Sequence, residues 1–162
     1  VMALVPTVAA VAGQVAAGVV DWPVPVRVVR GAAARYAAFA VARAAIAASG
    51  SVTLELAAAG LPMIVTYRSG RLTAFVARRA VRTPWAGLVN ILAGEGAVPE
   101  LLQERCTPGL LAAALDPLID DGPRRSAQQG VLARVMARLH DVPEPPSRAA
   151  ARVVLDTIKR RE

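Results

Sequence analysis

Short apolar runs of strand length alternate with alanine-rich segments of helical length over the first 67 residues of the chain. Runs of this kind are typical of buried strands. The predicted strands cover residues 1–5, 24–29, 44–48 and 63–67. Strands that alternate with helices favour a parallel sheet that is covered by helices on both faces. With right-handed crossovers, the simplest such topology is a Rossmann-like α/β fold.

The segments between these strands are predicted to be helices. They cover residues 7–19, 32–42 and 52–59. We expect a turn at Pro6, with Thr7 as the N-cap of the first helix, because threonine hydroxyls commonly accept from the first free N–H groups. Because 55% of the residues are hydrophobic and the chain has 162 residues, a disordered chain is excluded. One domain over residues 1–162 is expected.

After Tyr67 no further strand is predicted, and residues 107–162 are expected to form an all-helical tail. Thr107 and Pro108 have the pattern of an N-cap followed by proline at the first helical position. The segment 88–98 is predicted to be a loop with a short helical turn. The predicted helices of this part cover residues 72–81, 109–118, 123–139 and 147–160.

The first twenty residues carry no charge, but they do not have the pattern of a membrane span or a signal peptide. They are mostly alanine, glycine and valine, Pro6 and Gln14 interrupt them, and no basic segment precedes them. A parallel sheet that begins this abruptly indicates a fragment whose preceding strands and loops are absent.

The 19 Lys and Arg residues exceed the 12 Asp and Glu residues and give a net charge of +7, which favours an anionic partner. A nucleic acid is disfavoured because the six aromatic residues lie among apolar neighbours and do not alternate with basic ones. Cys106 and His140 are each the single residue of their type. No intrachain disulfide or zinc or haem ligand set is therefore expected, and the predicted location is cytoplasmic.

The segment 49–51 joins a predicted strand to a predicted helix. In open α/β sheets, ligands bind at this junction. Gly50 allows the backbone to approach a ligand closely, and Ser49 and Ser51 supply hydroxyl groups. In the alternative interpretation, Ser51 caps the helix and Gly50 forms the turn. Glu55 lies one residue too late for a capping box with Ser51, and its carboxylate is suited to accept from ribose hydroxyls, unless it is an ordinary first-turn glutamate.

Further polar residues are predicted at or above the same edge of the sheet. Arg68 follows the last predicted strand, and its fork of donors suits a phosphate or diphosphate. Asn90, Glu100 and Gln103 are expected in loops above that edge. Each of these residues, taken singly, is also typical of a solvated loop.

The predicted helix after residue 71 has two interpretations. It could rest on anionic lipid headgroups through a basic amphipathic surface, or pack its apolar stripe on the sheet with its arginines in water. The residues of the proposed membrane-facing surface are Leu72, Phe75, Val76, Arg78, Arg79 and Arg82.

Three segments in this order resemble the C-terminal half of the lipid-A-disaccharide synthase family, which consists of inverting glycosyltransferases of the GT-B fold. They are ASGSVTLELAAAGLPMIVTYR, LTAFVARRAVRTPWAGLVNILAG and VPELLQERCTPGLLAAAL. The resemblance covers residues 1–155. It implies a Rossmann-like half that binds the donor UDP-2,3-diacylglucosamine, from which the family transfers a sugar to lipid X to form the β-1′,6 disaccharide of lipid A and UDP.

The resemblance also implies a nucleotide site at Ser49, Gly50, Ser51 and Glu55, lined or supported by Arg68, Asn90, Glu100 and Gln103. It implies no obligatory metal, a location at the inner face of the cytoplasmic membrane, and homodimers formed through C-terminal helices. The acceptor site and the general base belong to the family's N-terminal half. We therefore expect the 162 residues to be inactive alone.

The chain departs from the family pattern at four positions. Arg43 stands where the family has an acidic residue, and Glu95 stands where it has an arginine. Trp85 and Gly87 replace a tyrosine and a serine. The alternatives are another UDP-sugar transferase of the same fold, such as the one that makes lipid II, and a non-catalytic basic module that binds membranes.

Overall fold

The computed structural model describes residues 1–70, 83–141 and 144–159. Its strands are β1 (Ala3–Thr7), β2 (Val26–Arg30), β3 (Ala45–Ala48), β4 (Met63–Tyr67) and β5 (Glu100–Leu102). Its α-helices are α1 (Ala12–Gly18), α2 (Ala32–Val41), α3 (Val52–Ala58), α4 (Leu88–Ala93), α5 (Pro108–Ile119), α6 (Pro123–His140) and α7 (Pro146–Lys159). The predicted helix 72–81 lies outside the described residues.

All strand pairs in the described residues are parallel, which confirms the predicted α/β class. The strands form two sheets, one of β1 and β2 and one in the order β3, β4, β5. Ile46 of β3 is in register with Ile64 of β4, and Val65 of β4 with Glu100 of β5. A parallel pair needs a crossover, and the helices between the strands provide it.

The central strand β4 is covered on both faces. On one face, Met63 and Val65 pack in a cluster to which α2, α3, α4 and α6 contribute, including Leu132 of α6. On the other face, Ile64 packs with Leu118 of α5. The three β4 residues are almost fully buried, which is why this strand is an uninterrupted apolar run in the sequence.

The beginning of the chain differs from the prediction. Pro6 lies inside β1 and not in a turn, and Thr7 ends the strand and is not a helix cap. A 3₁₀ turn, Ala9–Val11, precedes α1, and its N-cap is Val8. Proline is tolerated here because its missing N–H faces the edge of β1 that is not paired with β2.

A second difference is β5, because no strand was predicted after Tyr67. The strand has three residues and pairs with β4 from Val65 to Tyr67. So short a segment carries no clear pattern of its own, and pairing with β4 decides its conformation.

The segment 88–98, predicted to be mainly loop, contains the helix α4. Gly87 precedes it in an extended conformation, and Gly94 ends it with a φ of 73°, donating its N–H to the Asn90 carbonyl. A glycine in the left-handed region is a common helix terminator.

The prediction of a helical tail is confirmed for the described part of 107–162, which contains α5, α6 and α7. Pro108 occupies the first turn of α5 as predicted, although the Thr107 side chain forms no capping hydrogen bond. Within the described residues, no helix is both long and apolar enough to cross a membrane.

Candidate functional site

The loop after β3 is held to its neighbours by Ser49. The Ser49 N–H donates to the Thr66 carbonyl at 3.2 Å, and the Ser49 hydroxyl donates to the Ala86 carbonyl at 2.9 Å. Gly50 has a φ of 155°, a conformation that residues with a side chain rarely adopt. Ser49 therefore anchors the loop, and the backbone conformation at position 50 favours glycine over any residue with a side chain.

The capping interpretation of Ser51 is wrong. Ser51 precedes α3 in a helical conformation and makes no side-chain capping hydrogen bond. Thr53 instead donates its hydroxyl to the Gly50 carbonyl at 2.7 Å. The Ser51 side chain is exposed at the carboxyl edge of the sheet.

Glu55, in the first turn of α3, lies beside an arginine of α2 that the sequence had not singled out. The Arg35 Nη2 atom is 2.7 Å from Glu55 Oε2, and both side chains are about two-thirds buried. The pair lacks hydrogen-bond alignment, so Arg35 Nε and Glu55 Oε2 are buried without a hydrogen-bond partner among the described residues. The Arg35 guanidinium balances the charge of the Glu55 carboxylate, and the partly exposed Glu55 side chain can still accept a hydrogen bond from a ligand hydroxyl.

Arg35 was missed because its partner lies in another helix. The sequence offers one sign of its importance, because Arg35 is the single charged residue in the alanine-rich segment Ala32–Val41.

Glu100 and Asn90 are not the exposed loop residues that were expected. Glu100 begins β5, and its carboxylate accepts from the N–H groups of Ala86 and Gly87 at 2.8 and 2.9 Å. It also accepts from Asn90 Nδ2 at 2.8 Å. Asn90 is almost fully buried in α4 and exchanges two hydrogen bonds with the Val98 backbone. Both residues hold the turn before α4, and Ser49 contacts that same turn.

Gln103 and Arg68 lie where the neighbouring strands β5 and β4 end. Gln103 Nε2 donates to the Ser69 hydroxyl at 2.8 Å, and its Oε1 accepts from the Ser69 N–H at 3.3 Å. Gln103 has a φ of 52°, which is uncommon for a residue with a side chain. Arg68 lies next to Ser69 and is exposed. Gln103 therefore shapes the loop that carries Arg68.

The predicted residues thus form two hydrogen-bonded groups at the carboxyl edge. One joins Ser49, Asn90 and Glu100 through the turn 86–87, and the other joins Gln103 to Ser69, next to Arg68. Glu55 belongs to neither group and pairs with Arg35. No three His, Cys, Asp or Glu side chains of the described residues are grouped as metal ligands would be.

Two of the family departures take part in ion pairs elsewhere. Arg43 contacts Asp121 at 2.9 Å. Glu95 contacts Arg134 at 2.8 Å, just past the C-terminal end of α4. Ser49 contacts the turn before α4, whereas Glu95 follows the other end of this helix, so Glu95 lies at the far end of α4 from the candidate site.

A parallel sheet with helices on both faces and polar loops gathered at its carboxyl edge defines a Rossmann-like α/β domain. The chain belongs to the lipid-A-disaccharide synthetase family, because the sequence model of that family matches residues 19–153.

Individual relatives agree with this assignment. The chain is 45% identical over 145 residues to a lipid-A-disaccharide synthase of Nitrobacter hamburgensis, a match of 90% of this chain and 37% of the relative. The synthase of Rhodospirillum centenum is 44% identical over 98% of this chain and 39% of its own length. That of Bradyrhizobium diazoefficiens is 41% identical over 97% of this chain and 40% of its own. The chain thus spans about two fifths of the length of these relatives.

Proposed function

We propose that residues 1–162 are the donor-binding part of a lipid-A-disaccharide synthase. In this proposal the whole enzyme transfers the sugar of UDP-2,3-diacylglucosamine to lipid X, with inversion at the anomeric carbon and release of UDP. Family membership supports the proposal, and so do the relatives, each of which carries the name of this enzyme. The acceptor site and the general base belong to the rest of the enzyme, so the 162 residues alone bind the donor weakly, if at all, and do not catalyse.

The observation that carries the nucleotide assignment is the position of the Glu55 carboxylate, which is partly exposed and 2.7 Å from Arg35 at the start of α3. Glu55 Oε2 is buried beside Arg35 and accepts no hydrogen bond from the described residues. It lies in the first turn of the helix that follows the loop 49–51. A ribose hydroxyl can donate to this carboxylate, because the Glu55 side chain is 29% exposed.

The remaining site residues are assigned to the diphosphate and to the shape of the site. Arg68 is exposed beyond β4 and can donate two parallel hydrogen bonds to a phosphate. The neighbouring loop offers further hydrogen-bond donors for the diphosphate. They are the hydroxyl and backbone N–H of Ser51 and the backbone N–H of Gly50. Asn90, Glu100 and Gln103 support the loops and do not contact the donor directly, because their polar atoms are already engaged.

The test is titration of the full-length enzyme with UDP by calorimetry. We expect Glu55→Gln to weaken UDP binding about tenfold, which corresponds to one lost hydrogen bond to a charged group. Glu95→Gln is the matched control, since Glu95 lies at the far end of α4, and it should bind UDP as the wild type does. If both variants bind UDP equally well, the assignment of Glu55 to the nucleotide is wrong.

The donor site is proposed to work without a metal. Arg68 supplies positive charge at the position where a metal would otherwise neutralise the diphosphate. Transfer by the full-length enzyme should therefore proceed at the same rate with and without EDTA. A rate lost in EDTA and restored by Mg²⁺ would overturn this part of the proposal.

The enzyme is proposed to act in the cytoplasm at the inner face of the cytoplasmic membrane, since both substrates carry acyl chains. The predicted membrane-facing residues all lie within 72–82, outside the described residues. Sedimentation of the full-length enzyme with anionic and with neutral vesicles tests the location. Binding to anionic vesicles without any response to UDP would favour a basic membrane module over a transferase.

A homodimer formed through the C-terminal helices is also proposed. Residues 150–159 of α7 are all exposed, and four of them are large and apolar: Val153, Val154, Leu155 and Ile158. A helix with such a surface gains stability when another apolar surface covers it. Val154→Asp with Ile158→Asp should convert a dimer of the full-length enzyme into a monomer in analytical ultracentrifugation, whereas Arg148→Asp on the same helix should not.

A further inference from the structure

Tyr67 is the last residue of β4, the central strand of its sheet, and lies at the carboxyl edge. Met63, Val65 and Tyr67 share one face of the strand, because successive side chains of a strand point to opposite faces. Met63 and Val65 are almost fully buried, whereas Tyr67 is 49% exposed. The strand therefore ends in an aromatic residue that presents part of its surface at the edge where the candidate site lies.

The two hydrogen-bonded groups of the candidate site flank Tyr67. On one side, the Ser49 N–H donates to the carbonyl of Thr66, the residue before Tyr67. On the other side, Leu102 of β5 is in register with Tyr67, and Gln103 follows it. Tyr67 therefore lies between the residue that anchors the loop after β3 and the residue that shapes the loop after β4.

The turn 86–87 packs on the same face of β4, over Val65. A Cβ placed at Gly87 would lie 3.7 Å from Val65 Cγ2, and the Ala86 carbonyl accepts from the Ser49 hydroxyl at 2.9 Å. Tyr67 lies two residues farther toward the carboxyl edge, which is roughly 7 Å along a strand. Tyr67 therefore extends the surface of the site beyond the turn that Ser49 holds.

The donor of the proposed function brings a sugar ring to this position. The diphosphate is assigned to Arg68, which follows Tyr67 directly, and to the loop 49–51 after the neighbouring strand β3. The glucosamine ring is bonded directly to the second phosphate. A diphosphate held by these residues therefore places the sugar close to Tyr67.

A pyranose ring and an aromatic ring attract each other through their faces. The substituents of a glucosamine ring are largely equatorial, so its faces carry axial C–H hydrogens. The face of an aromatic ring is negatively polarised and attracts such hydrogens, while both surfaces are removed from water. Ligand sites commonly combine an aromatic surface with a few polar groups. Glu55 and Arg68 supply charged groups to the site, and Tyr67 supplies the aromatic surface.

We propose that the glucosamine ring of the donor packs on the ring of Tyr67. This inference rests on the proposed function, because the proposed function assigns the diphosphate to Arg68 and to the loop 49–51. The product UDP carries no sugar, so it does not make this contact. Tyr67 therefore favours binding of the donor over binding of the product, and it makes the site selective for a nucleotide that carries a sugar.

The test is calorimetric titration of the full-length enzyme with two ligands. They are UDP and UDP-2,3-diacylglucosamine, the latter in a non-ionic detergent and without lipid X. Tyr67→Ala should weaken binding of the donor about tenfold and change the Kd of UDP by less than about twofold. Tyr67→Phe keeps the ring and should bind both ligands as the wild type does. A merely structural role of Tyr67 would change the binding of both ligands, since UDP uses the same loops.

Trp22→Ala is the matched control. Trp22 is an aromatic residue with the same exposed fraction as Tyr67, but it precedes β2, at the amino edge of its sheet. This variant should bind both ligands as the wild type does. If Tyr67→Ala does not fold, Tyr67→Leu takes its place with the same expectation, because leucine keeps an apolar side chain without a ring.

Three results would overturn the proposal. In the first, Tyr67→Ala binds the donor as tightly as the wild type. In the second, Tyr67→Ala weakens binding of UDP and of the donor equally. In the third, Tyr67→Phe loses as much donor binding as Tyr67→Ala. A wild-type enzyme that binds neither UDP nor the donor would instead show that the proposed function is wrong, and the role of Tyr67 would be rejected with it.

Discussion

Arg35 of α2 and Glu55 of α3 lie 2.7 Å apart, in two helices that follow strands of different sheets. The ion pair links the β1–β2 part of the fold to the β3–β4–β5 part. It also leaves one oxygen of Glu55 buried without a hydrogen bond from the described residues. The same residue is thus a structural link and the best candidate for a ligand-binding carboxylate.

Replacing Arg35 tests both roles. Arg35→Ala should lower the free energy of unfolding by about 1 kcal/mol, because the pair is partly exposed and not aligned as a hydrogen bond. It should also weaken UDP binding several-fold, because the Glu55 carboxylate is no longer held in place. Calorimetry and thermal unfolding of the full-length enzyme measure the two effects. Arg43→Ala, which removes an exposed pair with Asp121, is the control and should leave UDP binding unchanged.

Asn90 should be important for stability. Its amide exchanges two hydrogen bonds with the Val98 backbone and donates a third to Glu100. Asn90→Ala leaves those buried groups unpaired and should cost about 3 kcal/mol in chemical denaturation. Gln14→Ala, which removes an amide at an exposed position of α1, should cost less than about 0.5 kcal/mol. If Asn90→Ala loses no more stability than Gln14→Ala, the hydrogen-bond network around Val98 does not stabilise the fold.

Gly87 leaves little room for a side chain. A Cβ placed there would lie 3.0 Å from Glu100 Oε1, which accepts from the Gly87 N–H and from Asn90 Nδ2 and is held in place by them. Gly87→Ala should therefore destabilise the protein by about 1–2 kcal/mol, since overpacking forces the neighbours to shift. Gly109 in the first turn of α5 has no atom within 4 Å of a built Cβ. In thermal unfolding, Gly109→Ala should be neutral or slightly stabilising. A loss of stability of equal size in the two variants would contradict the packing argument.

Gln103 combines an unusual backbone conformation with two hydrogen bonds to Ser69. Gln103→Ala loses the hydrogen bonds and keeps the unfavourable positive φ, whereas Gln103→Gly loses the same bonds and removes the strain. We therefore expect the glycine variant to be more stable than the alanine variant by about 1 kcal/mol in denaturant titration. An alanine variant at least as stable as the glycine variant would show that the positive φ costs nothing.

Local patterns allowed much of the architecture to be predicted. The strand 63–67 was predicted with the bounds that β4 has, and α2, α3, α5 and α6 begin and end close to their predicted limits. These segments are long or strongly apolar, so their own residues decide their conformation. The sequence also correctly predicted that the loop 49–51 joins a strand to a helix, because strand ends and helix starts have local signals.

The predictions were wrong where conformation depends on distant partners. Thr7 and Pro6 are part of β1 because β2 pairs with them, and Glu100 is in a strand because it pairs with β4. Asn90 and Glu100 are engaged in a network with backbone groups up to 14 residues away. A single sequence carries no local sign of such partners, since hydrogen bonds across the fold depend on how the elements pack.

Local sequence patterns therefore account for the parallel α/β class, most of the helices, the helical tail and the residue types at the carboxyl edge of the sheet. The tertiary structure decided which of those residues support loops and which have free polar atoms. Packing also brings Arg35 to Glu55, and within the part of the chain that the structure describes it divides the strands into two sheets. The reason is physical: periodicity and turn residues act over a few positions, whereas strand pairing and burial join residues that are far apart in the chain.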